Sequence, residues 1–263
     1  MQTDTHEWLC DRTVPSPFDR RIIREVKVDY DKMAKLYTRF RRVHPVVLER
    51  FLTDLSASSP VLEVGSGSGN YISTIRKMIG CECHGIEPSE AMLAEARKKD
   101  AETLWRKGSA ESLPYRAGAF TLIFCVDVIH HVSDVPLFIA EMFRTLSPRG
   151  KVCIVTESEV DIRERKPLSV YFPETVELEL ARYPRNQHLK QIMRGVGLSA
   201  IAEKAAQFAY NLESADSYER EVFSCLNLIS EQAHARGISR MSKDLRHGPI
   251  KCSSRYTMLW ATK

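Results

Sequence analysis

The sequence lacks the features of a membrane or secreted protein. It has no uninterrupted apolar run of about 18 residues, the length that indicates a membrane-spanning helix. Residues 1–12 contain no apolar core of the kind found in signal peptides. Internal repeats and low-complexity tracts are also missing. We therefore expect a chain that stays in the cytoplasm and does not span a membrane.

Cysteine is present, but without the pattern of a disulfide framework or a zinc site. The seven cysteines are scattered and odd in number, which favours a reducing compartment. Cys125 and Cys153 lie in apolar runs, where a thiol acts as a small hydrophobe. Cys81 and Cys83 are close in sequence, but a zinc site usually needs a second ligand pair at suitable spacing, and none follows. We therefore expect no bound metal.

A strong excess of charge is also absent. Lys and Arg number 38 against 34 Asp and Glu, so the formal net charge is only +4, which by itself does not indicate nucleic-acid binding. The excess is concentrated in residues 231–263, which hold seven Lys or Arg and two acids. A solvated surface is the simpler interpretation, and contact with an anionic substrate or RNA is the alternative. The length of 263 residues is ample for a hydrophobic core.

The central part of the chain alternates between strand and helix patterns. Apolar runs typical of buried strands are separated by segments with helical spacing, and this order favours a parallel α/β sheet. The expected strands cover residues 61–64, 82–87, 103–106, 120–126 and 152–155. The expected helices between them begin near residues 70, 90 and 134, and residues 147–150 have the composition of a turn. On the last of these helices, Leu137 and Phe138 are expected on the buried side.

The flanking segments are less regular. We expect a helical N-terminal cap over residues 1–57 and a core over 58–263. Two insertions near 158–185 and 211–250 are expected above the carboxyl edge of the sheet. Helices are expected at 186–196 and 217–236, and strands at 198–210 and 255–262.

The most informative segment reads VLEVGSGSGN at residues 61–70. A strand, a glycine turn and a helix in that order form a cofactor site at the carboxyl edge of a parallel sheet. A dinucleotide fingerprint needs the spacing G-x-G-x-x-G/A. The third position falls on Asn70 when counted from Gly65, and on Ile72 when counted from Gly67. The spacing therefore disfavours an NAD-dependent oxidoreductase.

Three more segments fall at predicted strand ends. Glu87 closes the second strand, where a carboxylate can accept hydrogen bonds from ribose hydroxyls. The sequences GSAESLP at 108–114 and DVIHH at 127–131 follow the next two strands. Together with the glycine segment and LSPRGKV at 146–152, they resemble the ordered motifs of class I S-adenosylmethionine-dependent methyltransferases, over roughly residues 58–158. The nearest group is the small-molecule type that includes ubiquinone and menaquinone biosynthesis enzymes.

The resemblance implies an α/β fold with a Rossmann-like, doubly wound, mostly parallel seven-stranded sheet, an antiparallel last strand and a helical cap. It also implies that S-adenosylmethionine is the cofactor. The resemblance assigns cofactor-binding roles to residues along the carboxyl edge. These are Tyr30, Glu63, Gly65, Ser66, Gly67, Glu87, Pro88, Ser109, Ala110, Glu111 and Asp127.

Individual roles follow from the same resemblance. Gly65 and Gly67 would lie against the methionine part of the cofactor, with Glu63 facing its amino group. Glu87 would hold the ribose. Pro88, with Ile86, would flank the adenine. Ala110 and Glu111 would lie by the adenine edge. Ser109 stands where many relatives carry Asp, and its hydroxyl can still bond to the exocyclic amine of the adenine. Ser109 and Glu111 have an alternative interpretation as ordinary loop residues or a helix cap. Tyr30 or Tyr37 would close over the cofactor or, equally, pack on the sheet.

His130 and His131 are the candidate catalytic residues. Histidine titrates near neutrality and can act as a general base toward a hydroxyl or carbon acid. A structural role for both is the alternative. In the first insertion, Tyr171, Arg182 and Tyr183 are candidates for binding the substrate, because aromatic rings with a cation suit an apolar or planar carboxylate. Packing or surface roles are equally compatible with these three residues.

The predicted function is methyl transfer to a small organic acceptor through an O, C or N atom. An RNA methyltransferase is one alternative, although the sequence has neither an Asn/Asp-Pro-Pro-Tyr/Phe motif nor a Pro-Cys nucleophile. A noncatalytic cofactor-binding protein on the same fold is another. The sequence leaves the oligomeric state open.

Overall fold

The computed structural model describes residues 28–53 and 55–263. One seven-stranded sheet runs through the molecule. The strands are β1 (Val61–Val64), β2 (Cys83–Glu87), β3 (Leu104–Lys107), β4 (Phe120–Val126), β5 (Leu146–Thr156), β6 (Ser199–Leu212) and β7 (Ile250–Thr262). Their spatial order is β3-β2-β1-β4-β5-β7-β6, with β7 antiparallel to both of its neighbours. This arrangement confirms the expected Rossmann-like, doubly wound fold with one antiparallel strand.

Helices connect the strands and extend the chain beyond them. They are α1 (Tyr30–Phe40), α2 (Pro45–Leu52), α3 (Asn70–Ile79), α4 (Glu90–Lys99), α5 (Val135–Thr145), α6 (Glu159–Glu164), α7 (Leu168–Tyr171), α8 (Glu174–Arg182), α9 (Asn186–Gly195), α10 (Ser224–Leu228) and α11 (Glu231–Leu245). Two 3-10 turns occupy Ile129–His131 and Asp216–Tyr218. Among the described residues, no helix is both long and apolar enough to cross a membrane.

Local sequence explains why the connecting helices begin and end where they do. The Ser89 side chain accepts a hydrogen bond from the Met92 N–H and caps α4, and Asp134 caps α5 in the same way through Leu137. Gly80 adopts a left-handed conformation at the end of α3, where its N–H bonds to the Arg76 carbonyl. These caps fix the directions in which the helices return across the sheet.

Both faces of the sheet are covered by apolar side chains. Helices α5 and α9 pack one face through residues such as Phe138 and Met193, while α2 and α3 pack the other through Phe51 and Ile72. The strands between them read as continuous apolar runs because both of their faces are buried. The carboxyl edge of the sheet is left as the place where loops and inserted helices meet.

Helices α6–α8 and α10–α11 come from the two segments interpreted as insertions. Helices α7, α8, α10 and α11 contribute to one apolar cluster that includes Phe172, Leu178, Leu226 and Met241, and this cluster is separate from those on the sheet faces. Helix α6 packs against α7 and α8. We call these five helices the lid. The domain boundary near residue 57 and the cap over residues 1–57 stay predictions, and residues 1–27 lie outside the described part of the chain.

Three sequence predictions were wrong. The expected helix over 217–236 is broken into the turn Asp216–Tyr218 and helices α10 and α11. Leu137 is 45% exposed, because the buried face of α5 is formed by its neighbours at 138, 139 and 142. The expected turn at 147–150 is the irregular start of β5, where Arg149 has a positive φ of 65° and bonds to the Lys263 carbonyl.

Candidate active site

The carboxyl ends of β1, β2, β3 and β4 bring the motif segments to one edge of the sheet. The register aligns Val64 with Ile86, and Glu63 with Gly85 on one side and Phe124 on the other. The glycine segment, Glu87 and Asp127 therefore begin side by side, as expected for a ligand site at a parallel sheet edge.

The loop after β1 has a backbone that only glycine adopts easily. Gly65 has φ = 68°, and its N–H donates to the Ile86 carbonyl at 2.8 Å. A Cβ atom at this position would lie 2.5 Å from a Val128 methyl carbon. Gly67 has φ = 52° and faces the ring of Tyr37. At Gly65 the missing side chain lets Val128 pack against the loop, and at Gly67 the positive φ favours glycine.

Glu87 is fixed beside this loop by two backbone donors. Its Oε2 accepts from the Gly67 N–H at 2.9 Å, and its Oε1 accepts from the Ser89 N–H at 3.0 Å. The residue is 6% exposed, and burial raises the pKa of its carboxyl group. Each oxygen retains a second lone pair, so an oriented carboxylate can still accept hydrogen bonds from a ligand.

Glu63 and Ser66 lie at the inner side of the glycine loop. The Ile72 N–H donates to Glu63 Oε2 at 3.0 Å, and burial raises the pKa of this carboxyl group well above its ordinary value. The Ser66 hydroxyl is buried and has no hydrogen-bond partner among the described residues. An orphaned hydroxyl beside a glycine cradle is a site that a polar ligand can complete.

The residues assigned to the adenine lie in different surroundings. Pro88 and Ser109 are exposed, and Ala110 packs against the apolar core. Glu111 accepts a hydrogen bond from the Ser133 N–H at 2.9 Å. This contact ties the loop after β3 to the start of α5, so Glu111 has a structural role here.

Asp127 connects three parts of the protein at the end of β4. It has φ = 60°, an uncommon conformation for a residue with a side chain. Its Oδ2 accepts from Arg41 Nη2 at 3.2 Å, and its Oδ1 accepts from the hydroxyl of Tyr183. The N-terminal helices, the sheet edge and the lid therefore meet at one carboxylate.

The two histidines differ in their surroundings. The side chain of His130 is 2% exposed and stacks on the Tyr183 ring at 4.1 Å between centroids. Burial lowers the pKa of His130 well below its ordinary value, so the ring is neutral. Its Nδ1 lies 3.9 Å from Asp127 Oδ1 and has no hydrogen-bond partner in the described part of the chain. His131 is at the surface, where its Nε2 meets the Tyr30 hydroxyl at 2.7 Å.

A cavity of about 380 Å³ lies between the sheet edge and the lid. Glu63, Gly65 and Ser66 form part of its wall, together with Asp127 and Tyr183. Many of the other lining side chains are aromatic. They are Tyr30, Tyr37, Phe40, Tyr71, Phe208, Tyr210, Tyr218, Phe223 and Tyr256. The cavity thus combines the predicted cofactor loop with room for an aromatic or aliphatic molecule.

Sequence reasoning missed a buried ionic array on the lid side of this cavity. Arg165 Nη1 lies 2.6 Å from Glu157 Oε2 and 3.2 Å from Glu179 Oε2, and Arg182 Nη1 lies 2.6 Å from Glu179 Oε1. All four side chains are less than a tenth exposed. Glu157 follows an apolar strand directly, a positional signal that could have found it. Arg182 was predicted as a substrate-binding residue and not as part of this array, and Arg165 and Glu179 carry no such signal.

The three predicted substrate residues have different locations. Tyr183 lines the cavity. Arg182 is buried in the ionic array and is paired with Glu179. Tyr171 packs within the lid, and its hydroxyl donates to Asp244 Oδ2 at 2.7 Å. The structure therefore brings Tyr183 to the cavity and leaves Tyr171 outside its wall.

The Cys81 and Cys83 thiols lie 3.6 Å apart within the apolar core. Within the described residues, no three His, Cys, Asp or Glu side chains are grouped so that they could hold a metal ion.

Comparisons with known proteins support the interpretation of this sheet edge as part of a methyltransferase domain. Residues 62–154 match the family described as methyltransferase domain. The chain is 31% identical over 102 residues to norajmaline N-methyltransferase of Rauvolfia serpentina, covering 36% of this chain and 35% of that protein. It is 25% identical to phosphoethanolamine N-methyltransferase 2 of Caenorhabditis elegans, covering 57% of this chain and 31% of that protein. The chain spans about a third to a half of the length of the curated relatives it matches.

Solved structures agree on the fold. A putative methyltransferase from an antibiotic biosynthesis pathway of Anabaena variabilis superposes with a TM-score of 0.67 at 20% identity, covering 86% of this chain and all of that one. A Haemonchus contortus phosphoethanolamine N-methyltransferase 2, solved in complex with S-adenosyl-L-methionine, gives a TM-score of 0.60 at 18% identity, covering 93% of this chain and 59% of that one. At these identities the likeness concerns the fold alone.

Proposed function

We propose that this chain, whose residues 62–154 belong to the methyltransferase domain family, transfers a methyl group from S-adenosylmethionine to a small organic acceptor. The observation that carries the proposal is the pairing of the glycine loop with Glu87, whose carboxylate is held in place by the loop's own Gly67 N–H. S-adenosylmethionine is the methyl donor for a domain of this family, and its activated methyl group supplies the chemistry.

The residues present fit this molecule. The bare main chain at Gly65 and Gly67 suits its methionine part, and Glu63 offers a carboxylate oxygen near the same place. Glu87 accepts from the ribose hydroxyls. Ser109, Ala110, Pro88 and Tyr30 stay predictions for contacts around the adenine and the cofactor opening.

The protein contributes mainly alignment. A methyl group already bound to a sulfonium needs a nucleophile in line with the carbon–sulfur bond, and holding reactants in that geometry accounts for much of the rate. The lid and the N-terminal helices enclose the cavity and restrict water, and Asp127 joins both to the sheet edge. His130 as the general base stays a prediction, with Tyr183 covering one face of its ring.

A small acceptor fits better than RNA. The relatives' names include N-methyltransferases and a malonyl-[acyl-carrier protein] O-methyltransferase, which leaves the acceptor atom of this chain open. The cavity lies under the lid and has many aromatic side chains in its wall, so a small organic molecule is the natural occupant. The six described cysteines are free thiols, which supports a reducing location such as the cytoplasm. The quinone-biosynthesis subtype stays a prediction.

The experiment that tests the proposal is calorimetric titration of S-adenosylmethionine into the Glu87→Ala variant. We expect its affinity to fall about 10- to 100-fold, the size expected for losing hydrogen bonds to a charged group. Glu90→Ala is the matched control, because Glu90 is an exposed neighbour that pairs with Arg97 on the surface. The control should bind as the wild type does.

Two outcomes would count against the proposal. Equal affinities of wild type and Glu87→Ala would remove the ribose role. If S-adenosylmethionine binds but no S-adenosylhomocysteine is released during incubation with a metabolite extract, the noncatalytic alternative would be favoured.

A further inference from the structure

We propose that Glu157 receives the methyl acceptor and that the acceptor group is an amine. The inference rests on the proposed function and deepens it. It starts from four carboxylates that line the cavity: Glu63, Asp127, Glu157 and Glu179. The question is which of them has an oxygen with no hydrogen-bond partner at all, since such an oxygen gains most from a second molecule.

Hydrogen bonding separates the four. Both oxygens of Asp127 are occupied, by Arg41 and Tyr183. Both oxygens of Glu179 are also occupied, by Arg165 and Arg182. Glu63 adjoins the glycine loop and belongs to the cofactor side. Glu157 uses only Oε2, toward Arg165.

Away from the glycine loop, Oε1 of Glu157 is therefore the carboxylate oxygen of this cavity that has no hydrogen-bond partner among the described residues. It is also not among the atoms sealed inside the protein. Glu157 directly follows β5, which is hydrogen-bonded to β4, which in turn is hydrogen-bonded to β1. With strands about 4.8 Å apart, the ends of β1 and β5 are about 10 Å apart. Glu157 and the glycine loop both line the cavity under the lid, and Glu157 also borders a second cavity. The proposal places the acceptor in the first cavity, where it can meet a methyl donor on the glycine loop.

The charge around Glu157 favours a cation. Glu157, Arg165, Glu179 and Arg182 form an array of two anions and two cations, so the array is neutral when Glu157 is ionised. Burial raises the pKa of Glu157 to about 8, so without a ligand this side chain is largely protonated at neutral pH, and a cation bound at Oε1 would lower that pKa and hold the carboxylate ionised. A bound ammonium group would supply that positive charge.

The rest of the wall also suits an amine. A carboxylate oxygen only accepts hydrogen bonds, so its partner must carry N–H or O–H groups. Phe208, Tyr210, Tyr218 and Tyr256 line the same cavity, and aromatic faces attract cations. An ammonium group satisfies both features, whereas a hydroxyl satisfies only the first.

The chemistry balances without another reactant. The ammonium group of the acceptor gives one proton to Glu157 Oε1 and becomes a neutral amine. Its lone pair forms a nitrogen–carbon bond to the methyl group while the methyl–sulfur bond breaks, and that electron pair stays on sulfur. The product is a methylated ammonium and a neutral thioether. A raised pKa suits a carboxylate that must hold this proton.

The test measures binding of three probes of one shape to the protein saturated with S-adenosylhomocysteine. The probes are benzylamine, benzyl alcohol and benzoate, titrated by calorimetry or ligand-observed NMR. We expect benzylamine to bind at least about 10-fold more tightly than the other two, the contribution expected of one hydrogen bond to a charged group. Glu157→Gln should abolish that preference and leave the affinity for S-adenosylhomocysteine within about 2-fold of the wild type, since Glu157 is on the acceptor side.

Two further variants keep the result interpretable. Glu157→Asp retains the negative charge opposite Arg165, but its shorter side chain moves the second carboxylate oxygen away from the acceptor. It should therefore weaken benzylamine binding, and it tests the inference even if Glu157→Gln does not fold. Glu177→Gln is the matched control, because Glu177 is exposed on the lid helix α8 and pairs only with Arg163 at the surface. It should behave as the wild type.

Other outcomes would overturn the inference. Preferred binding of benzoate would assign the cavity to an anion, and equal binding of amine and alcohol would favour a hydroxyl acceptor. Failure of benzylamine to bind a protein that does bind S-adenosylhomocysteine would refute the amine site alone. Failure to bind S-adenosylhomocysteine would instead refute the proposed function.

Discussion

At the scale of single residues, the site depends on carboxylates whose positions are fixed by the backbone. Glu87 is oriented by two N–H groups, and Asp127 is held in a left-handed conformation while bonded to Arg41 and Tyr183. Strained conformations persist where the surrounding contacts determine them, and they are frequent at functional sites. Asp127 therefore fixes the distance between the sheet edge and the lid.

His130 yields a prediction about stability and pH. An unfolded histidine has a pKa near 6.5, whereas burial holds the pKa of folded His130 well below that value. As the pH falls below about 6.5, the unfolded chain takes up a proton that the folded chain does not, so the folded state loses stability. Between pH 7.5 and 5.5 this residue alone should cost about 1.4 kcal/mol.

Urea denaturation at the two pH values measures this effect. The loss of unfolding free energy between them should be about 1.4 kcal/mol smaller in His130→Gln than in the wild type. His188→Gln, at an exposed position on α9, should keep the wild-type dependence. If His130→Gln and the wild type lose equal stability, folding does not lower the pKa of His130 and the prediction is wrong.

At the scale of elements, sequence patterns predicted the strands and helix caps that depend on residues close to them in the sequence. The first two strands, β4, and the caps Ser89 and Asp134 all follow from apolar runs and capping residues near them. The break in the expected helix over 217–236 depends on distant contacts. Phe223 sits at this break, packed against Tyr218 and under the Arg41 guanidinium. Arg41 lies far away in the sequence, so no local pattern indicates the break.

The lid helices give a prediction about glycine. In α11, a Cβ on Gly237 would clash with the Phe172 ring and lie 2.7 Å from the Tyr171 carbonyl oxygen. Gly195, the last residue of α9, has no atom within 4 Å of such a Cβ. Gly237→Ala should therefore lower the unfolding free energy by about 1–3 kcal/mol. Gly195→Ala should raise it by up to about 1 kcal/mol, since alanine favours helix.

Thermal and urea denaturation of the two variants provide the comparison. The pair is matched because both changes add one methyl group to a helical glycine. A stable Gly237→Ala protein would show that α11 can move away from α7 at little cost.

At the scale of the whole molecule, the functional site combines what the sequence reveals with what only folding brings together. The glycine loop and Glu87 were predictable because each follows its own strand and has a characteristic spacing. Arg41 and Arg165 were not predictable as site residues. They come from an N-terminal helix and the lid, and only the tertiary structure places them at the carboxyl edge.

The basic segment 231–263 gives a prediction about nucleic acid. Several of its cations already have partners within the chain: Arg236 pairs with Glu174 at the surface at 2.8 Å, Arg255 pairs with Asp161, and Lys263 donates to the Phe143 carbonyl at 2.7 Å. Charges used in this way do not form a free surface for phosphates. A gel-shift assay with tRNA at about 50 mM salt should show no complex at micromolar protein.

A tRNA complex that weakens steeply with added salt would contradict this prediction. It would favour the RNA alternative, because release of counterions from phosphates is the signature of nucleic-acid binding.

The most direct test of the central claim is a crystal structure of the protein with S-adenosylhomocysteine. We predict that both ribose hydroxyls lie within about 3.2 Å of Glu87 carboxylate oxygens, that the amino-acid end rests on Gly65 and Gly67, and that the sulfur faces the cavity that Glu157 lines. A ligand bound elsewhere, or a ribose that does not touch Glu87, would contradict the account.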